Sequence, residues 1–86
     1  MKEFKYTITD ETGIHARPAG LLVKEASRFL SNIEIETAKG KIADAKRLFA
    51  LMSLGAAHGD TITVRISGSD EAQAESAMHS FLQENL

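Results

Sequence analysis

The segment Gly13-Ile14-His15-Ala16-Arg17-Pro18-Ala19-Gly20 gathers the residues of this chain that could do chemistry. Pro18 has no N–H and is at home in the first turn of a helix, so His15 falls at or just before a helix N-terminus. Unpaired backbone amides, that of Ala16 among them, and the positive end of the helix dipole point at that spot. An anion on His15 would be stabilised there. Arg17 adds planar donors that match a phosphate, and its charge persists at physiological pH. An unprotonated imidazole nitrogen is a competent nucleophile, so the set suits a histidine that is transiently phosphorylated. The plain alternative is a polar loop histidine beside an imperfectly capped helix. Convergence of Arg17 and the free amides on one anion site favours chemistry. His58, in the Ala57-His58-Gly59-Asp60 turn, and His79 lack comparable neighbours and read as exposed, structural residues. With no cysteine and no helical i, i+4 pair of histidines, neither a metal site nor a cofactor is expected.

These residues need elements to hold them. Phe4 to Thr9 alternates and is rich in β-branched and aromatic residues, which predicts a strand; Asp10-Glu11-Thr12-Gly13 is turn chemistry. Ala19, Leu22, Val23, Ala26 and Phe29 recur at helical spacing and predict a first helix over about Ala16 to Leu30. Ile33, Ile35 and Thr37, the Lys39-Gly40 turn and the short Lys41-Ile42-Ala43 segment read as a hairpin. Asp44 to Leu54 reads as a short apolar helix closed by Gly55 in a left-handed conformation. Thr61 to Ser67 alternates as a fourth strand. Ser69-Asp70-Glu71 then opens a last helix, with Ala74, Ala77, Met78, Phe81 and Leu82 as its buried stripe. The order β-α-β-β-α-β-α predicts an α+β fold, an open-faced two-layer sandwich with a four-stranded antiparallel sheet and three helices on one face. Without linker, repeat or low-complexity tract, residues 1–86 read as one domain.

Composition narrows the role. At 86 residues, with 43% hydrophobic and 26% charged residues, one small core is possible and a deep enzyme cleft is not expected. No apolar run approaches a membrane span, and Met1-Lys2-Glu3 leads directly into an alternating segment, so a cytoplasmic protein without membrane insertion is expected. The net charge of −2 argues against nucleic acid, but residues 1–50 carry nine basic and seven acidic side chains against one and five in residues 51–86. The basic excess lies around His15, which favours an acidic protein partner. One edge of the first helix carries Arg17, Gly20, Leu21, Lys24 and Arg28. The second helix has more apolar residues than about two turns can turn inward. Leu48 and Met52 are the candidates for exposure, with Phe49 partly so; the competing reading puts Leu48 or Met52 in the core. Rimmed by Lys24, Arg28, Lys46 and Arg47, this apolar patch would suit an acidic, adaptable partner.

Over essentially its whole length the chain resembles the HPr family of histidine-containing phosphocarrier proteins of the bacterial phosphoenolpyruvate-dependent sugar phosphotransferase system. The resemblance rests on Gly13-Ile14-His15-Ala16-Arg17-Pro18-Ala19, on Leu22-Val23-Lys24-Glu25-Ala26-Ser27 and on Met52-Ser53-Leu54-Gly55. It implies the same open-faced fold, phosphorylation of His15 on Nδ1 by phospho-enzyme I, assistance from Arg17, and Pro18 as the helix-initiating position. It further implies delivery to IIA domains of sugar permeases, with the protein a carrier rather than an enzyme. Both partners would dock on the edge of the first helix and the apolar end of the second. Transient complexes and a monomer are expected. An alternative within the same fold is a regulatory protein that binds enzymes or transcription factors. The chain departs from many Gram-positive relatives at one point. Where they carry a regulatory serine before the second helix, it reads Asp44-Ala45-Lys46-Arg47-Leu48-Phe49, with Arg47 at that position, or Lys46 under a one-residue shift. No serine switch of the usual kind is expected; Ser53 is the alternative position, but inside Met52-Ser53-Leu54-Gly55 it reads as structural.

Overall fold

The computed structural model describes residues 1–86. Its elements are β1 (Lys2–Thr7), α1 (Ala16–Ala26), β2 (Asn32–Thr37), β3 (Ile42–Asp44), α2 (Leu48–Met52), β4 (Thr61–Ser67) and α3 (Glu71–Asn85). The strands form one antiparallel sheet in the order β1-β4-β2-β3. Period-two alternation puts Ile33 and Ile35 of β2 and Ile62, Val64 and Ile66 of β4 on the face beneath the helices, each at most 1% exposed. Ala19, Leu22 and Ala26 of α1 meet them, as do Ala74, Met78 and Leu82 of α3. Each large aliphatic side chain so buried contributes about 1.5–3 kcal/mol. The other face carries Glu3, Glu34, Glu36 and Arg65, and Arg65 pairs with Glu3 and Glu36. The open-faced sandwich expected from the periodicity is therefore the architecture.

Element ends differ from the sequence-based expectation, and tertiary hydrogen bonds are the reason. The first helix stops at Ala26 rather than Leu30: the amides of Arg28 and Phe29 bond back only three residues, to Glu25 and Ala26 at 3.2 Å, and those of Leu30 and Ser31 donate to the Asp70 carboxylate at 2.8 and 2.9 Å. Leu30 is left 84% exposed. The second helix starts at Leu48 rather than Asp44, which lies in β3. The Asp44 carboxylate accepts the Lys46 amide and its carbonyl accepts that of Arg47, a turn that delays helix entry. β1 spans Lys2 to Thr7 rather than Phe4 to Thr9, since the amides of Thr9 and Asp10 donate to the main-chain oxygen of Leu86. In α3 the stripe narrows to Ala74, Met78 and Leu82, with Ala77 and Phe81 half-buried. Gly55, at φ +69°, does take the left-handed conformation expected of it.

Asp70 links two loops that are distant in sequence, and its behaviour with pH follows. The Ser31 hydroxyl, then the Leu30 and Ser31 amides, hold its carboxyl below the usual carboxylate range. A carboxyl whose pKa is lowered on folding contributes stability above its unfolded value and loses it as pH falls through the folded one. The thermal midpoint should therefore decline in acid below about pH 4, and Asp70→Asn should flatten that decline. Melting curves from pH 2 to 7 check this (a range chosen to bracket the carboxylates).

Candidate functional site

His15 occupies the N-cap of α1 with extended backbone angles, φ −116° and ψ −175°. Its carbonyl accepts the Ala19 amide at 2.9 Å, the first bond of the helix. The following positions are Ala16, Arg17 and Pro18. Because Pro18 has no N–H, the helix offers the amides of Ala16 and Arg17 beyond its cap, and neither has an intrahelical partner. No acidic side chain stands in the first turn, so the positive end of the dipole is uncompensated from within α1. The His15 side chain makes no capping hydrogen bond and is exposed, which leaves its ring available.

The loop before the helix is anchored from both sides. The Ile14 amide donates to Ala56 at 3.0 Å, and Gly13 sits at φ +69° against the same backbone. The Asp10 carboxylate accepts the Thr12 amide and hydroxyl, each at 2.8 Å. These bonds, the hydroxyl first, hold the Asp10 carboxyl below the usual carboxylate range. His15 and Arg17 line a shallow open depression of about 180 Å³ with Pro18 and Leu21, and Asp10, Glu84 and Asn85 complete it. These last three escaped the reading of the sequence. Glu84 and Asn85 come from the far end of α3, with no local signal for their arrival, and Asp10 reads only as turn chemistry.

The expected docking residues fall into two groups. Gly20, Leu21 and Lys24 are exposed along the edge of α1, and Arg47 is exposed at the N-cap of α2. Phe49 is 80% exposed and Met52 40%, whereas Leu48 is half-buried. The expectation for Leu48 and Phe49 is thus reversed. Leu51 is fully buried; Leu48, three residues before it, shares its side of the helix, and Phe49, two before it, points away. Two of the cations are engaged within the chain. Arg28 pairs with Glu25 at 2.8 Å and lies over the Phe29 ring at 5.6 Å. Lys46, half-buried, donates from Nζ to the Phe29 carbonyl at 2.8 Å, tying the loop before α2 to the segment that follows α1. His58 and His79 are exposed, and His79 meets the Phe4 ring edge-on at 5.1 Å. No helix is long and apolar enough to cross a membrane.

Comparison with known proteins agrees with this architecture. The family model described as the PTS HPr component phosphorylation site matches residues 2–84. The phosphocarrier protein HPr of Mycoplasma genitalium is 42% identical over 85 residues, covering 99% of this chain and 97% of its own. Among solved structures, HPr-C-His from Thermoanaerobacter tengcongensis superimposes with a TM-score of 0.91 at 38% identity, covering 99% of this chain and 94% of that one. A phosphocarrier protein HPr from Bacillus anthracis gives 0.87 at 36% identity, covering 95% and 96%. An open-faced sandwich matched end to end by phosphocarrier relatives defines a phosphocarrier domain. The chain belongs to the HPr family, the phosphocarrier proteins of the phosphotransferase system.

Proposed function

We propose that residues 1–86 act as one domain that carries a phosphoryl group on Nδ1 of His15, taken from phospho-enzyme I and surrendered to IIA domains of sugar permeases. The observation that carries this reading is the exposed, uncommitted ring at an N-cap whose neighbouring amides have no helical partner. In the transfer, the unprotonated ring nitrogen forms the new bond to phosphorus while the donor–phosphorus bond breaks and its electron pair leaves with the donor. The proton on the other ring nitrogen stays in place. The Ala16 and Arg17 amides and the Arg17 guanidinium are the groups available to the phosphoryl oxygens, a positioning and charge-stabilising role that matches what phosphoryl transfer requires. A shallow site lets two partners reach the same atom in turn, so the protein is a covalent intermediate that its partners act on. Gly20, Leu21, Lys24, Phe49, Met52 and Arg47 form the docking face, bordered by Arg28, Lys46 and Leu48. The carrier works as a monomer in the cytoplasm, and Arg47 excludes a phosphoserine at its position.

Incubation with enzyme I and phosphoenolpyruvate is expected to place one acid-labile phosphate on each chain, read by intact mass and by phosphorus NMR. A wild-type chain that stays unlabelled would overturn the reading in favour of the regulatory alternative. Arg17→Ala should slow labelling about ten- to hundredfold, with Arg17→Lys between, because lysine keeps the charge and loses the fork. Rapid-quench rates measure this.

A further inference from the structure

The depression around His15 is not uniformly positive. Asp10 and Glu84 stand in its wall with His15 and Arg17, an arrangement at odds with simple tight binding of a dianion. Asp10 is also held more firmly than an ordinary surface carboxylate. Its amide donates to the Leu86 main-chain oxygen at 2.8 Å, its carbonyl accepts the Gly13 amide at 3.1 Å, and its Oδ1 accepts both Thr12 donors. The side chain is therefore pinned in a turn that ends two residues before His15, and the Thr12 bonds keep it ionised. On the carrier reading of His15, we infer that the Asp10 carboxylate is a built-in counter-charge that destabilises the phosphorylated form and so raises the readiness of the phosphoryl group to leave. The helix amides and Arg17 draw the phosphate in, and Asp10, seconded by Glu84 in the same wall, limits how firmly it is held. Asp10 touches neither the phosphoryl group nor the reacting nitrogen in this scheme; it acts through the field.

The test equilibrates the full chain with enzyme I at fixed ratios of phosphoenolpyruvate to pyruvate and counts the phosphorylated fraction by phosphorus NMR. Here the enol phosphorus–oxygen bond breaks, the phosphorus–nitrogen bond forms at His15, and the enolate takes a proton to become pyruvate. Asp10→Asn is the informative variant, because its amide oxygen accepts the same two Thr12 bonds and asparagine suits the turn. At low ionic strength it is expected to shift the equilibrium constant toward phosphoprotein about two- to fivefold, the range of an exposed charge pair. Most of that shift should vanish in about 1 M salt. Asp10→Glu, which keeps the charge, should stay near wild type, as should Glu34→Gln on the open sheet face, a control for net charge. Equal constants for Asp10→Asn and wild type overturn the inference while leaving the carrier reading intact. A shift that salt does not reduce also overturns it, since that marks a change of loop structure. If the wild-type chain takes no phosphate at all, both readings fall together.

Discussion

Replacing His15 with alanine is expected to take phosphate incorporation from one per chain to none, with the thermal midpoint unchanged. The loss follows from nucleophile chemistry: nothing else in the depression can form a phosphoramidate, since Asp10 and Glu84 are carboxylates, Asn85 is an amide and the Arg17 guanidinium has no lone pair free to attack. The fold should not notice. The ring makes no capping bond and is exposed, and the bond that begins α1 uses the main-chain carbonyl of residue 15, which alanine retains. His58 and His79 remain in the variant as internal controls. Both are exposed, yet neither stands at a helix N-cap beside an arginine, and His79 lies against Phe4. Intact mass after incubation with enzyme I and phosphoenolpyruvate reads the result. Persistent acid-labile phosphate on the His15→Ala chain would show that the nucleophile lies elsewhere.

Gly13→Ala should damage both stability and transfer. A Cβ there would sit 2.5 Å from the Ala56 carbonyl oxygen and 2.7 Å from the Ala57 Cα, and both are backbone atoms that cannot swing aside. The residue also holds φ at +69°, the left-handed region, which costs an L side chain about 1–2 kcal/mol. With about 1–3 kcal/mol for the overlap, the expected loss is roughly 2–5 kcal/mol, out of the ~5–15 kcal/mol a small domain has. For a chain of this size the midpoint should drop by roughly 10–30 °C. Relief by shifting the loop would strain the bond from Ile14 to Ala56 and displace His15, so surviving folded protein should label more slowly. Gly20→Ala is the contrasting case. Its Cβ would meet nothing within 4 Å, and it lies inside α1, so the helix should gain about 0.5–1 kcal/mol. Thermal melts of the two variants side by side distinguish a backbone contact from a general intolerance of side chains at glycine.

Much of the site is legible without coordinates because its information is local. Pro18 marks the first turn, which places His15 at the cap, and the same proline removes one of the free amides, so the donor set is a property of three consecutive residues. The strands are legible for a similar reason. Ile62, Val64 and Ile66 alternate with Thr63 and Arg65, and a sheet with one wet face can accept that pattern in only one orientation. Element ends are not legible in this way. Nothing near Leu30 announces that Asp70, forty residues on, will take its amide and hold the chain away from a further helical turn. Nor does the composition of α2 say whether Leu48 or Phe49 turns outward; burial of Leu51 against the rest of the core settles it.

What the order of residues determined by itself is the architecture and the make-up of the candidate centre: periodicity and turn residues act within a few positions, where steric and hydrogen-bonding preferences are strong enough to be read directly. What only the tertiary structure decided is the electrostatic setting of that centre and the shape of the proposed docking face. Glu84 and Asn85 reach His15 because α3 runs back to the start of α1, and Lys46 is withdrawn from the surface by a carbonyl seventeen residues earlier. Such contacts arise from the closure of the chain around its core, and the long-range partners of a charged side chain are set by that closure rather than by its neighbours in sequence.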